Sequence, residues 1–573
     1  MKKKRLIIGS LLGSVLVYFI SFFFLIKDQP ISIINRGTVL LTVSFILFIS
    51  FFYQLNPRKK KRKVNLPEKL LLLFFFLAGL FLNTYKLNQI PSGFHGDEAE
   101  TALQAQKILE HESNRLIDTS PWYHVPIPSF LPHTLTQAIA GNNIFGARLA
   151  SAITGALALV VFYLFAKENF SRLTGLFSSL LLLTSHWWLA FSRLAISYIQ
   201  TPLFQLAAFL FLARAWKDKR KINFFLSGFF TGLSFGLYFA SRLVPLLILS
   251  WFFLELKTSR KKWLDFFHHH LPAFLVGFLF FALLFSFRYL KNFNDFTSRQ
   301  NNVFIFSPET REWQESICQA SQNSLCLLFK QIKTTFDFTP KGGDTSGQYG
   351  YRGPILEIIT LILFLIGLVF CFKNYKKSIF TFLIFWLLAT YLFGSVLTVP
   401  PSFMPRLTGI IPLFFLLAAL PLAALVKNSK IPRYFSFPIV IIFLIIISFK
   451  NLKIYFHDNL AKNLGDPNKY TATRIAFWLK QNANNRPIVF LMKPFIYPDF
   501  APIRYLAPEI KKYIAPAQPD QMNPDTAPPQ AIFIIHPRYQ NKLEEIITIY
   551  PQGKTTVFTN FYNHPQVFIY QSP

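Results

Sequence analysis

The sequence predicts a polytopic α-helical membrane protein that ends in a small α/β domain, and three observations carry that reading. Of the 573 residues, 52 % are hydrophobic and 17 % aromatic, with a mean hydropathy of +0.36. Apolar runs of about 20 residues, the length a helix needs to cross the hydrocarbon of a bilayer, recur along the chain. After Asn451 the pattern changes, and short β-rich runs alternate with helical ones.

The apolar runs give about 13 spans, at 6–26, 37–55, 67–85, 145–166, 173–191, 197–216, 222–239, 243–256, 265–286, 354–372, 378–397, 407–426 and 434–450. The first has a basic start and no small-residue cleavage site, so it reads as an uncleaved span. With the N-terminus cytoplasmic, the basic clusters fall on alternate connections: Lys2 to Arg5, Arg58 to Lys63, Lys167 with Arg172, Lys217 to Lys221, Lys257 to Lys262, Lys373 to Lys377 and Lys427 to Arg433. All of these are then cytoplasmic, as the tendency of inner loops to keep positive charge requires.

This pattern also explains the formal charge of +32, from 59 Lys and Arg against 27 Asp and Glu. In a soluble chain such a balance would point to nucleic acid. Here the run Arg58 to Lys63 reads as a cytoplasmic loop, and no nucleic-acid partner is expected.

Three parts follow. Residues 1–66 hold two spans and the basic loop; 67–450 form the membrane core, with outer loops at 86–144 and 287–352; 451–573 form an extracytoplasmic α/β domain. In the last part, PIVFLM, AIFIIH, TTVFTNF and QVFIYQ read as strands, and TATRIAFWLKQNA and YQNKLEEIITIY as helices. About 120 residues can hold a core of their own. The three cysteines are too few for a disulfide scaffold: Cys371 lies at the inner end of a span, whereas Cys318 and Cys326 share an outer loop and allow one bridge.

The chemistry centres on Asp97 and Glu98, which open a helix-like stretch in the first outer loop. Acidic residues there cap free amides and oppose the helix dipole, and Asp97 with Glu100 is close to a capping box. One carboxylate can cap while its neighbour faces a cavity. Arg148, Arg193, Arg242 and Arg406 fall at outer ends of spans, against the usual bias. A permanent cation at that depth needs a partner; four near a carboxylate pair suit an anionic head group, because a guanidinium binds phosphate in bidentate fashion.

A lipid-linked phosphate sugar fits such a set. Its leaving group needs cations rather than an acid, and the acceptor hydroxyl needs a base. Tyr123, His124 and Trp187 are candidates for sugar or acceptor contacts, alongside Trp122, His133, His186 and Trp188, although an interfacial aromatic belt accounts for any one of them. His268 to His270 read as interfacial. No Gly-rich phosphate loop, zinc spacing or Ser-His-Asp motif stands out, and nothing in the sequence supports a divalent metal or another cofactor.

GDEAETALQAQKIL, FGARLASAITGALALVVFYLFAKENF, FSRLAISYIQTPLFQLAAFLFLARAWK, GLYFASRLVPLLIL and PRLTGIIPLFFLLAALPLA, in this order, resemble the GT-C class of membrane glycosyltransferases. The resemblance covers residues 67 to 427 and is to the dolichyl-phosphate-mannose protein mannosyltransferase and aminoarabinose transferase-like superfamily. It implies a GT-C-like fold, a polyprenyl-phosphate sugar donor, transfer on the outer face to a glycan, lipid or protein acceptor, and an acidic base in the first outer loop. Asp97 is the first choice for that base and Glu98 the second, with outer-end arginines holding the lipid phosphate.

Two departures stand against full transfer of that pattern. Aminoarabinose transferase-like members carry a Lys before a Pro-Pro pair where this chain has His124-Val125-Pro126, and spans 6–26 and 37–55 precede the family's first helix. A lipid or polysaccharide flippase, or a ligase that moves whole glycans, are the competing readings. A flippase site at the bilayer midplane is disfavoured because the charges sit at span ends.

Overall fold

The computed structural model describes residues 2–27, 35–55, 65–112, 115–257, 259–318, 324–337, 343–351, 353–428, 430–458, 466–510 and 513–573. The run Arg58 to Lys63, Lys341, Gly342 and Arg352 lie outside these.

Each predicted apolar run falls on helix, but only nine helices among the described residues are long and apolar enough to cross a membrane. The run 173–191 is a helix pair, Arg172–Thr184 and His186–Ser192, bent by 66°. Its break is at Ser185, an extended residue whose hydroxyl caps the second helix at the Trp188 amide. Counted as one span, the pair makes ten. The runs 197–216, 222–239 and 354–372 coincide with Gln200–Asp218, Lys221–Leu233 and Ile358–Lys373. The first of these includes Gln205, Arg214 and Lys217, and the other two are short. The chain is a multi-pass membrane protein, but 13 full-length spans overstates what periodicity alone can fix.

The two N-terminal helices, α1 (Lys2–Lys27) and α2 (Arg36–Gln54), form a hairpin. The Ser21 hydroxyl donates to Gly37 O at 2.7 Å and that of Ser44 to Ser14 O at 2.8 Å. Tyr18 donates across to Phe280 O at 2.9 Å, and Phe45 stacks on Phe229 at 4.2 Å. The hairpin therefore leans on Lys221–Leu233 and Leu271–Lys291. Those two helices touch backbone to backbone: a Cβ on Gly228 would lie 2.0 Å from Phe274 O, and one on Gly277 2.0 Å from Phe225 O. Small residues permit this approach where no hydrophobic effect drives helices together.

Behind the hairpin come α3 (Leu66–Thr84), α4 (Gly96–Leu109), α5 (Leu131–Ala140) and α6 (Ile144–Asn169). The C-terminal unit has a five-stranded sheet of order β2-β1-β3-β5-β4: β1 (Ile488–Leu491), β2 (Tyr513–Ile514), β3 (Ile532–Ile535), β4 (Lys554–Thr559) and β5 (Pro565–Gln571). β1 is parallel to β2 and β3, and β5 is antiparallel to β3 and β4. All four expected strands form; the two-residue β2 was too short to be seen in the pattern.

Val489, Leu491, Phe533, Ile535, Leu543 and Ile546 form a core within this unit, and a second cluster joins it to the rest of the chain. Ile475, Leu479, Phe490 and Ile534 share a buried cluster with Phe94, Ala99 and Ala102 of the α4 region. Small side chains on α4 let the helix Ala501–Leu506 of this unit sit directly on it.

Candidate active site

The segment between α3 and α4 is held from below by two arginines. Arg148 Nη1 donates to Leu87 O and Pro91 O, both at 3.0 Å, and its Nη2 to Gly93 O at 2.6 Å. Arg193 donates to Leu82 O, to Tyr85 O at 2.6 Å and to Ile90 O at 2.8 Å, and its Nε to the Tyr455 hydroxyl at 3.1 Å. Buried carbonyls without partners are costly, and these two side chains meet that need.

α4 starts two residues earlier than Asp97 and Glu100 would suggest. His95 is the N-cap: its Nδ1 accepts from the Asp97 amide at 3.0 Å, and Glu98 Oε2 accepts from the His95 amide at 3.0 Å. Glu98 is fully buried. Arg148 donates to it through Nε at 2.7 Å and Nη2 at 3.0 Å, and the Ala195 amide donates at 2.9 Å. Burial alone would raise its carboxyl, but the Arg148 charge and these hydrogen bonds outweigh it and hold the group below the usual carboxylate range.

Asp97 points the other way, into a polar cavity of about 300 Å³ walled by His95, Trp122, Tyr123, Tyr198, Tyr238, Arg299 and Tyr349. The Tyr349 hydroxyl donates to Asp97 Oδ2. Tyr238, Phe239 and Arg299 also line a second, more apolar cavity of about 350 Å³, together with Arg242, Leu246, Phe393 and Arg406. Leu246 and Phe393 are exposed on the surface of the spans. One wall, with Arg299 in it, thus stands between the Asp97 carboxylate and Arg242 with Arg406. A larger opening of about 600 Å³ between Asn88, Phe145 and Lys480 has no carboxylate in its lining.

The expected site residues divide accordingly. Arg242 and Arg406 line the second cavity. Arg148 and Arg193 do not: both are fully buried with their donors turned to carbonyls, to Glu98 and to Tyr455, so a phosphate role for them does not fit. Tyr123 lines the first cavity, with the Arg299 guanidinium 5.0 Å from its ring centre. His124 turns away to buried Asp295, Nδ1 to Oδ1 at 3.1 Å. That carboxylate also meets Arg288 at 2.6 Å and the Thr119 hydroxyl at 3.1 Å. Tyr123 and His124 both have left-handed backbone, φ 49° and 54°, a conformation that costs roughly 1–3 kcal/mol per residue and needs a firm surround. Trp187 is buried under Gly350, where a Cβ would come within 2.5 Å of its ring; it supports the Tyr349 loop and lines neither cavity. Cys318 and Cys326 are bridged.

Sequence reasoning missed Arg299, Tyr198, Tyr238, Tyr349 and His95. Arg299 lies on a short polar helix, Phe293–Asn301, inside a loop, where a cation attracts no notice. The C-terminal unit also reaches the site. Lys469 is buried, burial holds its ammonium below the ordinary lysine range, and Nζ donates to Gln348 O at 3.1 Å. Asp466 lies 3.7 Å from His95 Nε2, the Phe94 amide donates to Thr473 at 2.7 Å, and Arg504 grips Glu100 at 2.8 and 2.9 Å. The Tyr349 loop is latched at its other end by Asp344, which accepts from the Ser346 amide and hydroxyl at 2.9 and 2.6 Å and from the Met404 amide at 3.0 Å. Burial pushes the Asp344 carboxyl up to about 7. Among the described residues, no group of three or more His, Cys, Asp or Glu side chains is placed to hold a metal ion.

Residues 124–285 match the dolichyl-phosphate-mannose-protein mannosyltransferase family. A curated relative, the undecaprenyl phosphate-alpha-4-amino-4-deoxy-L-arabinose arabinosyl transferase of Pseudomonas savastanoi pv. phaseolicola, is 29 % identical over 170 residues; the match spans 28 % of this chain and 31 % of the relative. Apo ArnT from Cupriavidus metallidurans superposes with a TM-score of 0.50 at 12 % identity, over 88 % of this chain and 98 % of that one. The Archaeoglobus fulgidus oligosaccharyltransferase superposes with a TM-score of 0.49 at 14 % identity, over 79 % of this chain and 65 % of that one. The matched segment lies inside a helical core that shares its fold with ArnT, and the chain spans less than a third of the length of the curated relative it matches.

Proposed function

We propose that the chain transfers a sugar from a polyprenyl-phosphate donor to an acceptor hydroxyl on the extracytoplasmic face, with inversion at the anomeric carbon. The N-terminus is then cytoplasmic and the C-terminal unit extracytoplasmic. The observation that carries this reading is the shared wall: Asp97 on one side, Arg242 and Arg406 on the other, and Arg299 in the wall itself, reaching both cavities. An inverting displacement needs a base and a leaving group on opposite faces of the sugar, and a sugar seated at Tyr238 and Arg299 would have both.

In this mechanism Asp97 accepts the proton of the acceptor hydroxyl as its oxygen attacks the anomeric carbon. Tyr349 holds one carboxylate oxygen and leaves the other for the proton. The bond to the phosphate oxygen breaks, and the arginines absorb the charge that develops there, in a cavity whose mostly apolar lining strengthens the attraction. The prenyl chain leaves past Leu246 and Phe393 into the bilayer. Glu98 plays no part in the proton transfer and instead fixes where α4 begins. The name of the curated relative, which specifies an undecaprenyl phosphate-linked aminoarabinose, supports the donor class; the acceptor is a glycan, a lipid or a protein.

Membranes carrying the chain, supplied with a panel of radiolabelled polyprenyl-phosphate sugars, test the proposal. Transfer of one of these to an endogenous acceptor is expected. Movement of labelled lipid across the bilayer with no sugar transfer would establish a flippase instead.

A further inference from the structure

In the loop after Leu271–Lys291, the helix Ser324–Thr335 has two faces that disagree with an aqueous setting. On one face Leu327, Gln331 and Thr335 are buried. Thr335 shares a hydrogen bond of 2.6 Å with Ser395, and Gln331 reaches Thr398 O at 3.5 Å. Leu327 packs beside Ile305, Cys318 and Val399, and the Cys318–Cys326 bridge ties the helix start to the preceding helix. The helix is thereby fixed across the end of the span Ser378–Val396 that carries the arginine-lined cavity.

The other face is apolar and open. Leu325, Phe329, Ile332 and Phe336 follow at intervals of four, three and four, which aligns them in one stripe, and they are 76 %, 70 %, 46 % and 42 % exposed. The helix has no acidic residue, and Lys330 and Lys333 flank the stripe. Exposed phenylalanines in a row are uncommon on a water-facing surface. A short basic amphipathic helix with Phe and Leu on one side is what binds in the plane of a membrane surface. Lysine stems there bend back toward lipid phosphates. The stripe also continues into bilayer surface, because Leu392 and Phe393 at the same end of that span are exposed.

We infer that Ser324–Thr335 lies in the membrane plane, its Leu325, Phe329, Ile332 and Phe336 side chains sunk into the leaflet beside the mouth of the arginine-lined cavity. The occupant of this face is the bilayer rather than a second copy or a soluble partner. Anchored there, the helix sets the depth of Thr398 and Phe393 at the end of the span Ser378–Val396. The inference rests on the chain being a membrane protein and stands apart from the sugar-transfer reading.

Spin labels at Ile332→Cys and Phe336→Cys, each in the full-length chain with Cys371→Ala and reconstituted in phosphatidylglycerol-containing vesicles, test it. Both labels are expected to be several-fold more accessible to oxygen than to a nickel chelate, and a label at Glu544→Cys in the C-terminal unit is expected to show the reverse. Adding Phe329→Asp should shift the Ile332 label several-fold toward the chelate. A photoreactive phenylalanine analogue at Phe329 gives a second readout and should form adducts with phospholipid. Chelate-accessible labels, no adduct, or dipolar coupling between labels on two copies would overturn the inference.

Discussion

Arg148 and Arg193 stand at the same end of the helical bundle as Arg242 and Arg406, yet the two pairs meet different surroundings. The first pair is sealed, with its donors spent on the carbonyls of the α3–α4 segment, on Glu98 and on Tyr455. The second pair spends only part of its capacity. Arg242 donates to Phe296 O and the Tyr289 hydroxyl, and its Nε has no partner among the described residues. Arg406 donates to Val399 O and Pro400 O. Asp97 and Glu98 divide the same way, one facing a cavity and the other locked in a pair. What separates a structural charge from a candidate functional one here is whether its hydrogen-bonding capacity is used up inside the protein.

The sealed side predicts the largest effect on stability. Glu98→Gln leaves Arg148 buried without its counter-charge, and breaking one partner of a buried pair costs about 3–5 kcal/mol. Denaturation should show that loss along with poor membrane yield; an unchanged midpoint would remove the distinction between the two sides. On the open side, Arg406→Ala and Arg299→Ala should leave stability near wild type and weaken polyprenyl-phosphate binding by roughly 10- to 100-fold each, the worth of one hydrogen bond to a charged group. Equal losses of binding and stability would merge the two sets. Lys469→Met links them: freeing Gln348 should lower turnover by about tenfold, near 1.4 kcal/mol, with donor affinity kept. A change in affinity alone would place Lys469 elsewhere in the cycle.

The smallest effect concerns pH. The Asp344 carboxyl is raised in the folded chain to about 7, against about 3.9 in an unfolded one. Between those values the folded state binds more protons, so stability falls as pH rises through that window and levels off above about 7. A melting temperature higher by a few degrees at pH 5.5 than at pH 7.5 is expected, and Asp344→Asn should flatten the difference. A variant that keeps the slope would assign it to another group.

The helical core was legible because oil-like runs and basic connections leave a strong imprint. So was the C-terminal alternation, which placed four of the five strands. The bend at Ser185 was not, since one serine cap inside an apolar run has no periodic signature. Nor was the contact of the C-terminal unit with α4, which is made through the helix Ala501–Leu506 and depends on the small residues that α4 presents there. The site was half visible. Adjacent carboxylates and outer-end arginines announced themselves, but Arg148 looked the same as Arg406 until the carbonyls were placed. Arg299 and Tyr349 are brought to the cavity by loops whose paths depend on long-range contacts, through Asp295, Asp344 and Lys469.

Sugar transfer by Asp97→Asn, measured beside its thermal stability, tests the central claim most directly. Removing a general base lowers rates by about 10²- to 10⁴-fold, so transfer should fall at least 100-fold with the melting temperature and polyprenyl-phosphate affinity unchanged. Full activity in a well-folded Asp97→Asn variant would contradict the account.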